Sequence, residues 1–141
     1  SRIDRARDVV DEVIDVREAD PVQRVMERTG GMGVDIVIEC AGSVASTQNA
    51  IALARKGGTI VVVGICFDWV QLPVSEIVLR GLTVKGAVCF LVGEFAAALD
   101  LVASRKIDVD ALVTGKVALD DINEAFKAAS SCEGGKILVR P

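Results

Sequence analysis

Residues 33–42 read GVDIVIECAG: an apolar run from Val34 to Cys40 with a carboxylate, Glu39, near its end, followed by a turn of small residues. Unbroken Val/Ile character of this length suits a strand of a parallel sheet, buried on both faces. In open α/β sheets the ligand lies beyond the carboxyl ends of such strands, so the turn at Cys40, Ala41 and Gly42 is a candidate contact. A dinucleotide-binding sheet normally also carries G-x-G-x-x-G directly after its first strand. Gly31 and Gly33 in TGGMGVDI have half of that spacing, but no third glycine follows and the cluster precedes the strand. Phosphate is held at a helix N-terminus, so this cluster reads as a turn leading into the strand.

Strand-like and helix-like segments alternate on either side of this stretch. Further strands are expected at Glu12 to Val16, Thr59 to Ile65 and Leu82 to Val88, with a short closing strand at Lys136 to Val139 after Gly134 and Gly135. Asp20 with Pro21 signals one helix start, Ser43 a second helix running towards Lys56, and Pro73 a third running towards Arg80. Gly57 and Gly58 are expected to stop the second helix. Gly93 to Lys106 reads as an amphipathic helix, and Leu119 to Ser130 as another with Asp120 at its N-cap. The order implies an α/β fold, a partial doubly wound, Rossmann-like parallel sheet with right-handed crossovers and flanking helices.

With 141 residues, 51% of them hydrophobic, one domain is expected over residues 1–141. The net charge of −4 is spread along the chain without a basic stripe, which argues against nucleic-acid binding. No apolar stretch approaches the ~18 residues of a membrane span, so a soluble, cytoplasmic protein is expected. The four cysteines, Cys40, Cys66, Cys89 and Cys132, are too dispersed for a zinc knuckle or a disulfide scaffold and are expected to be reduced and largely buried. The chain contains no histidine, so it can supply neither an imidazole base nor a histidine metal ligand. Glu39 beside Cys40 is half a zinc set; it is expected to face the cleft or a neighbouring turn. Trp69 is expected either to line a pocket mouth or to pack over the sheet edge.

GVDIVIECAGSVASTQNAIALARKGGTIVVVGI, then LPVSEIVLRGLTVKGAV, then LDLVASRKIDVDALVTGKVALDDINEAFKAASSCEGGKILV, together resemble the C-terminal part of a zinc-type medium-chain alcohol or polyol dehydrogenase. Sorbitol, butanediol and threonine dehydrogenases are the nearest in character. The resemblance implies that the catalytic domain, with zinc and the proton relay, and the glycine-rich loop belong to sequence upstream of Ser1. This chain would then be the distal half of an NAD- or NADP-binding domain.

Position by position, the resemblance puts Cys40, Ala41 and Gly42 at the turn beside the cofactor, and Val63, Gly64 and Ile65 against the nicotinamide ring. Ala87 and Val88 fall at the strand end that bonds the carboxamide. Lys136 falls near the pyrophosphate, although a solvated strand-end lysine remains an equal reading. Arg2 and Arg5 fall on the adenosine-ribose side. From the residues alone, Gly42 and Gly64 are open to two readings, tight turns or close approach of a flat ring. No catalytic or metal-binding side chain is expected in the chain itself.

Three functions follow from this reading. The first is a fragment of an NAD(P)-dependent oxidoreductase acting on a small alcohol or polyol, inactive alone. The second is a fragment of a zinc-independent quinone or enoyl reductase. The third is a free-standing oligomerisation domain. A homodimer or higher oligomer is expected in each case, because an unpaired apolar edge strand such as Leu82 to Val88 tends to associate.

Overall fold

A computed structural model describes residues 2–130 and 135–141. The expectations for Cys132 and Gly134 lie outside these residues. The chain forms two compact units, Ile14–Cys89 and a second made of Ser1–Val13 with Phe90–Pro141.

The Ile14–Cys89 unit contains helix α2 (Pro21–Arg28), strand β1 (Val34–Glu39), helix α3 (Val44–Leu53), strand β2 (Ala54–Val62), helix α4 (Val74–Leu79) and strand β3 (Thr83–Gly86), while α1 (Arg2–Arg7) belongs to the other unit. The three strands form one parallel sheet in the order β1-β2-β3. Local chemistry sets the helix starts as expected. The Asp20 carboxylate accepts from the amides of Val22 and Gln23 at 2.8 and 3.2 Å, with Pro21 in the first turn. Ser43 and Ser46 exchange side-chain-to-backbone bonds in a capping box at the start of α3. The Gly30–Gly33 segment is the turn between α2 and β1, tied by the Gly33 amide to the Thr29 hydroxyl at 3.0 Å.

The core is small. Ala50, Ile51 and Ala54, at or just past the end of α3, share one helical stripe and meet Ile60 of β2, with Val37, Val62, Leu72 and Ile77 packed around them. Parallel pairing puts Val37, Ile60 and Val84 on the covered face and Ile36 and Ile38 on the other. Ile36 and Ile38 are 62% and 63% exposed, so β1 is not buried on both faces as its apolar run suggested. Helix α3 and Ile77 of α4 pack against the covered face.

Helix α3 ends at Leu53 and Ala54 is already extended, well before Gly57 and Gly58. Those glycines instead lie in an irregularity at the start of β2, where the register jumps from Val34↔Ala54 to Ile36↔Thr59. The reason is tertiary. The Arg80 guanidinium donates to the carbonyl of Ile51 at 3.0 Å and to that of Ala54, which satisfies orphan carbonyls at the helix end. Arg80 also faces Glu76 at 3.8 Å, and its own carbonyl accepts from the Gly57 amide at 2.8 Å.

The segment Glu12 to Val16 does not form the expected strand: residues 12–15 have no regular secondary structure and a turn begins at Val16. Asp15 folds this segment locally by accepting from the Arg17 amide and guanidinium, and the guanidinium holds its carboxyl down at about 2.

The other unit contains α1, helix α5 (Val92–Ala103), strand β4 (Val113–Ala118), helix α6 (Ile122–Ser130) and strand β5 (Lys136–Arg140). Strands β4 and β5 pair in parallel, Val117 opposite Val139. Strand β4 was not expected, because VTGKVA is short and broken by Gly115. Asp120 is not an N-cap: Leu119–Asp121 form a 3-10 turn that leads into α6.

Arg80 is 18% exposed at its side chain and bonds two main-chain oxygens, so its truncation leaves acceptors unpaired. Arg80→Ala is expected to lower the unfolding free energy by about 2 kcal/mol, read as an earlier urea midpoint, and Arg80→Lys to recover only part of it because an ammonium lacks the planar fork.

Candidate functional site

Three strand ends lie along the carboxyl edge of the β1-β2-β3 sheet, and the turn after β1 is built on Glu39. Although Glu39 is charged, it is only 4% exposed. Its Oε1 accepts from the amides of Ala41 and Gly42, both at 2.8 Å, and from the Ser46 hydroxyl at 2.7 Å. Its main-chain oxygen accepts from Val63 at 2.8 Å and Gly64 at 3.0 Å, in the turn after β2. One residue therefore ties both turns together, the first through its side chain and the second through its backbone.

The two turns are in backbone contact. Gly42 has φ +64°, and a Cβ there would stand 2.7 Å from the Ile65 oxygen. A Cβ on Gly64 would stand 2.3 Å from the Gly42 nitrogen and 2.6 Å from Glu39 Oε2. Both glycines are demanded by turn-on-turn packing, whether or not a ligand lies above them. Oε2 faces Gly64 and is buried without a hydrogen-bond partner.

The Glu39 carboxyl is held below its ordinary range. The Ser46 hydroxyl is the largest cause, burial opposes it, and the amide dipoles of Gly42, Ala41 and Gly64 reinforce it. Hydrogen-bond donors and the N-terminal end of α3 keep the group ionised, with no cationic side chain among the causes.

Cys40, Ala41, Val63 and Ile65 are exposed around the interlocked glycines, with Ile65 70% accessible. Strand β3 ends at Gly86, but the Ala87 amide still bonds the Val62 oxygen at 2.9 Å, and Ala87 and Val88 lie exposed beside the β2 end. The eight expected contacts from Cys40 to Val88 thus come together on one edge. Among the described cysteines, Cys40 and Cys89 are exposed and Cys66 is half-buried, so these thiols are not core residues. Trp69 is 99% exposed and packs over nothing.

Lys136 belongs to the other unit. It lines a cleft of about 510 Å³ there together with Arg5, Val9, Asp108, Leu112 and Gly135. Of the three cations expected on the pyrophosphate and ribose sides, Lys136 and Arg5 thus line one cleft, and the side chain of Arg2 lies outside the described residues. Asp108 is the acidic member that the sequence reading did not single out.

Among the described residues, no three Cys, Asp or Glu side chains come close enough to hold an ion. Sequence reasoning placed Glu39 at the turn but missed Ser46. The spacing E-C-A-G-S-x-x-S, a capping box directly after a strand-end carboxylate, was the available signal.

Because the folded-state value of Glu39 is depressed, its contribution to stability is present above the ordinary 4.5 and is lost as pH falls through the folded value. Urea midpoints measured from pH 6 downwards are expected to fall more steeply below about pH 4.5 for the wild type than for Glu39→Gln, which has no such proton to take up.

The family model for zinc-binding dehydrogenases matches residues 1–104. A sorbitol dehydrogenase of Halalkalibacterium halodurans is 31% identical over 142 aligned residues, covering 99% of this chain and 41% of its own length. The crystal structure of 2R,3R-butanediol dehydrogenase from Bacillus subtilis superposes with a TM-score of 0.87 at 33% identity, over 99% of this chain and 41% of the other. A protein from Sinorhizobium meliloti, described as a zinc-binding dehydrogenase and solved bound to NADP, gives a TM-score of 0.90 at 28% identity over 99% of this chain and 42% of its own. The chain thus spans about 41% of the length of the first of these relatives. No described helix is long and apolar enough to cross a membrane. A strand-end edge built on Glu39, Gly42 and Gly64 and these matches lead to one conclusion: the chain belongs to the zinc-binding dehydrogenase family.

Proposed function

We propose that this chain is the nicotinamide-side part of the cofactor domain of an NAD(P)-dependent oxidoreductase acting on a small secondary alcohol or polyol. The observation that carries the reading is the interlocked pair of turns at Gly42 and Gly64, which forms a backbone shelf without side chains of its own, flanked by exposed Val63 and Ile65 at the carboxyl edge of a parallel sheet. Bound NAD(P)+ would supply the hydride acceptor. The chain's own part is to seat and orient the ring: Cys40, Ala41 and Gly42 on one side, Val63, Gly64 and Ile65 beneath it, and Ala87 and Val88 at the carboxamide. Lys136 and Arg5 line one cleft of the other unit, and their cationic side chains suit an anionic group there. The relatives named as sorbitol and butanediol dehydrogenases support the substrate class, and the neighbour solved with NADP supports a nicotinamide dinucleotide. Zinc and the reacting side chains belong to sequence upstream of Ser1, and the protein works in the cytoplasm.

The intact gene product is expected to reduce NAD+ or NADP+ with secondary alcohols or polyols, whereas residues 1–141 alone show no turnover and weak cofactor binding by calorimetry. A gene product that begins near Ser1, or an intact one with no such activity, would sink the reading. Among the described residues, strand β3 is an edge strand bonded on one side only, to β2, and its four residues are all exposed. We assign it to pairing with a second copy. Sedimentation of the intact product is expected to give a dimer or a multiple of it, and Val84→Pro, which cannot join a ladder, to shift it towards monomer.

A further inference from the structure

We propose that Glu39 biases the bound cofactor towards its oxidised form by placing one uncompensated negative charge directly beneath the shelf at Gly42 and Gly64. The inference rests on the reading above that the nicotinamide ring lies on this shelf. Oxidised nicotinamide carries a positive ring charge and the reduced ring is neutral, so a fixed anion nearby lowers the free energy of the first relative to the second.

The geometry supports a charge that is both retained and close. Glu39 is 4% exposed, its Oε1 is saturated by two amides and the Ser46 hydroxyl, and its Oε2 is buried, unpaired and directed at Gly64. Amide and hydroxyl donors stabilise the anion without adding a proton or a counter-charge, so the net charge stays −1 in a poorly screened place. Oε2 lies directly against the Gly64 backbone, where an added Cβ would stand 2.6 Å from it. The donors that hold this anion compensate its burial locally, and its net charge remains available to a positively charged ring nearby.

Glu39 is a positioning residue in its hydrogen bonds and an electrostatic one in this second role, and the ratio of two affinities separates the roles. In the intact dehydrogenase, Kd is measured for NAD+ and for NADH, or for the NADP pair if those bind, with folding monitored by circular dichroism. Glu39→Gln keeps an acceptor for Ser46 and removes the charge; it is expected to raise Kd(NAD+)/Kd(NADH) on the order of fivefold, the size of a single charge acting through partly buried protein. Ser46→Ala removes the 2.7 Å hydroxyl hydrogen bond but keeps the charge, and is expected to leave the ratio unchanged while lowering stability. Ser46→Lys sets an ammonium beside the carboxylate and should move the ratio in the same direction as Glu39→Gln; it carries the test if Glu39→Gln does not fold. An unchanged ratio in the folded charge-neutralised variant, or an equal shift in Ser46→Ala, would overturn the proposal. A wild type that binds neither form removes the nicotinamide reading itself, and the proposal with it.

Discussion

A buried carboxylate at the end of a strand must find donors within reach or be expelled, and here the donors are the next turn and the first turn of the next helix. Glu39 meets this constraint with Ala41, Gly42 and Ser46, none more than seven residues along the chain. The turn after β1 is therefore bent back beneath its own strand, and α3 must start where Ser46 can reach Oε1. Because the Glu39 carbonyl also receives Val63 and Gly64, the turn after β2 is brought against the first one. The contact is close enough that only glycine fits on either side. Fixing one charge thus fixes the helix start, two turns and the shape of the carboxyl edge.

At the other end of the same helix a cation does comparable work. Arg80 reaches from α4 to the last carbonyls of α3, so the helix stops at Leu53 and the chain enters β2. The sheet between these two anchors has a core of few fully buried side chains, Ile60 the largest of them. Polar ties at both ends of α3 matter more when the apolar contact between them is small. The sheet face carrying Ile36 and Ile38 and most of helix α5 present apolar side chains to solvent. Surface of that extent marks sites of further association.

Much of the Ile14–Cys89 unit was legible in the sequence because its signals are local. Asp20-Pro21 and Ser43 cap helices through atoms within three residues, and the apolar runs around Ile38, Ile60 and Val84 form strands where expected. The eight strand-end residues from Cys40 to Val88 were recognised through family resemblance, and they meet on one edge because parallel pairing aligns the strand ends. The failures share a cause as well. The run at Glu12 to Val16 has strand-like residues but joins no sheet ladder among the described residues, VTGKVA has a partner 20 or so residues away that its own letters do not reveal, and the glycines expected to stop α3 were pre-empted by an arginine from another helix.

The sequence by itself determined the α/β alternation, the helix starts and the absence of an imidazole or a phosphate loop, since these depend on residue type and short-range spacing. Only the tertiary structure decided that Glu39 is buried with one oxygen unpaired, that Gly42 and Gly64 need each other's lack of a side chain, and that Arg80 ends α3. Each of these depends on groups more than 20 residues apart in sequence, or on whether water reaches an atom, and neither distance nor solvation is written in the order of residues.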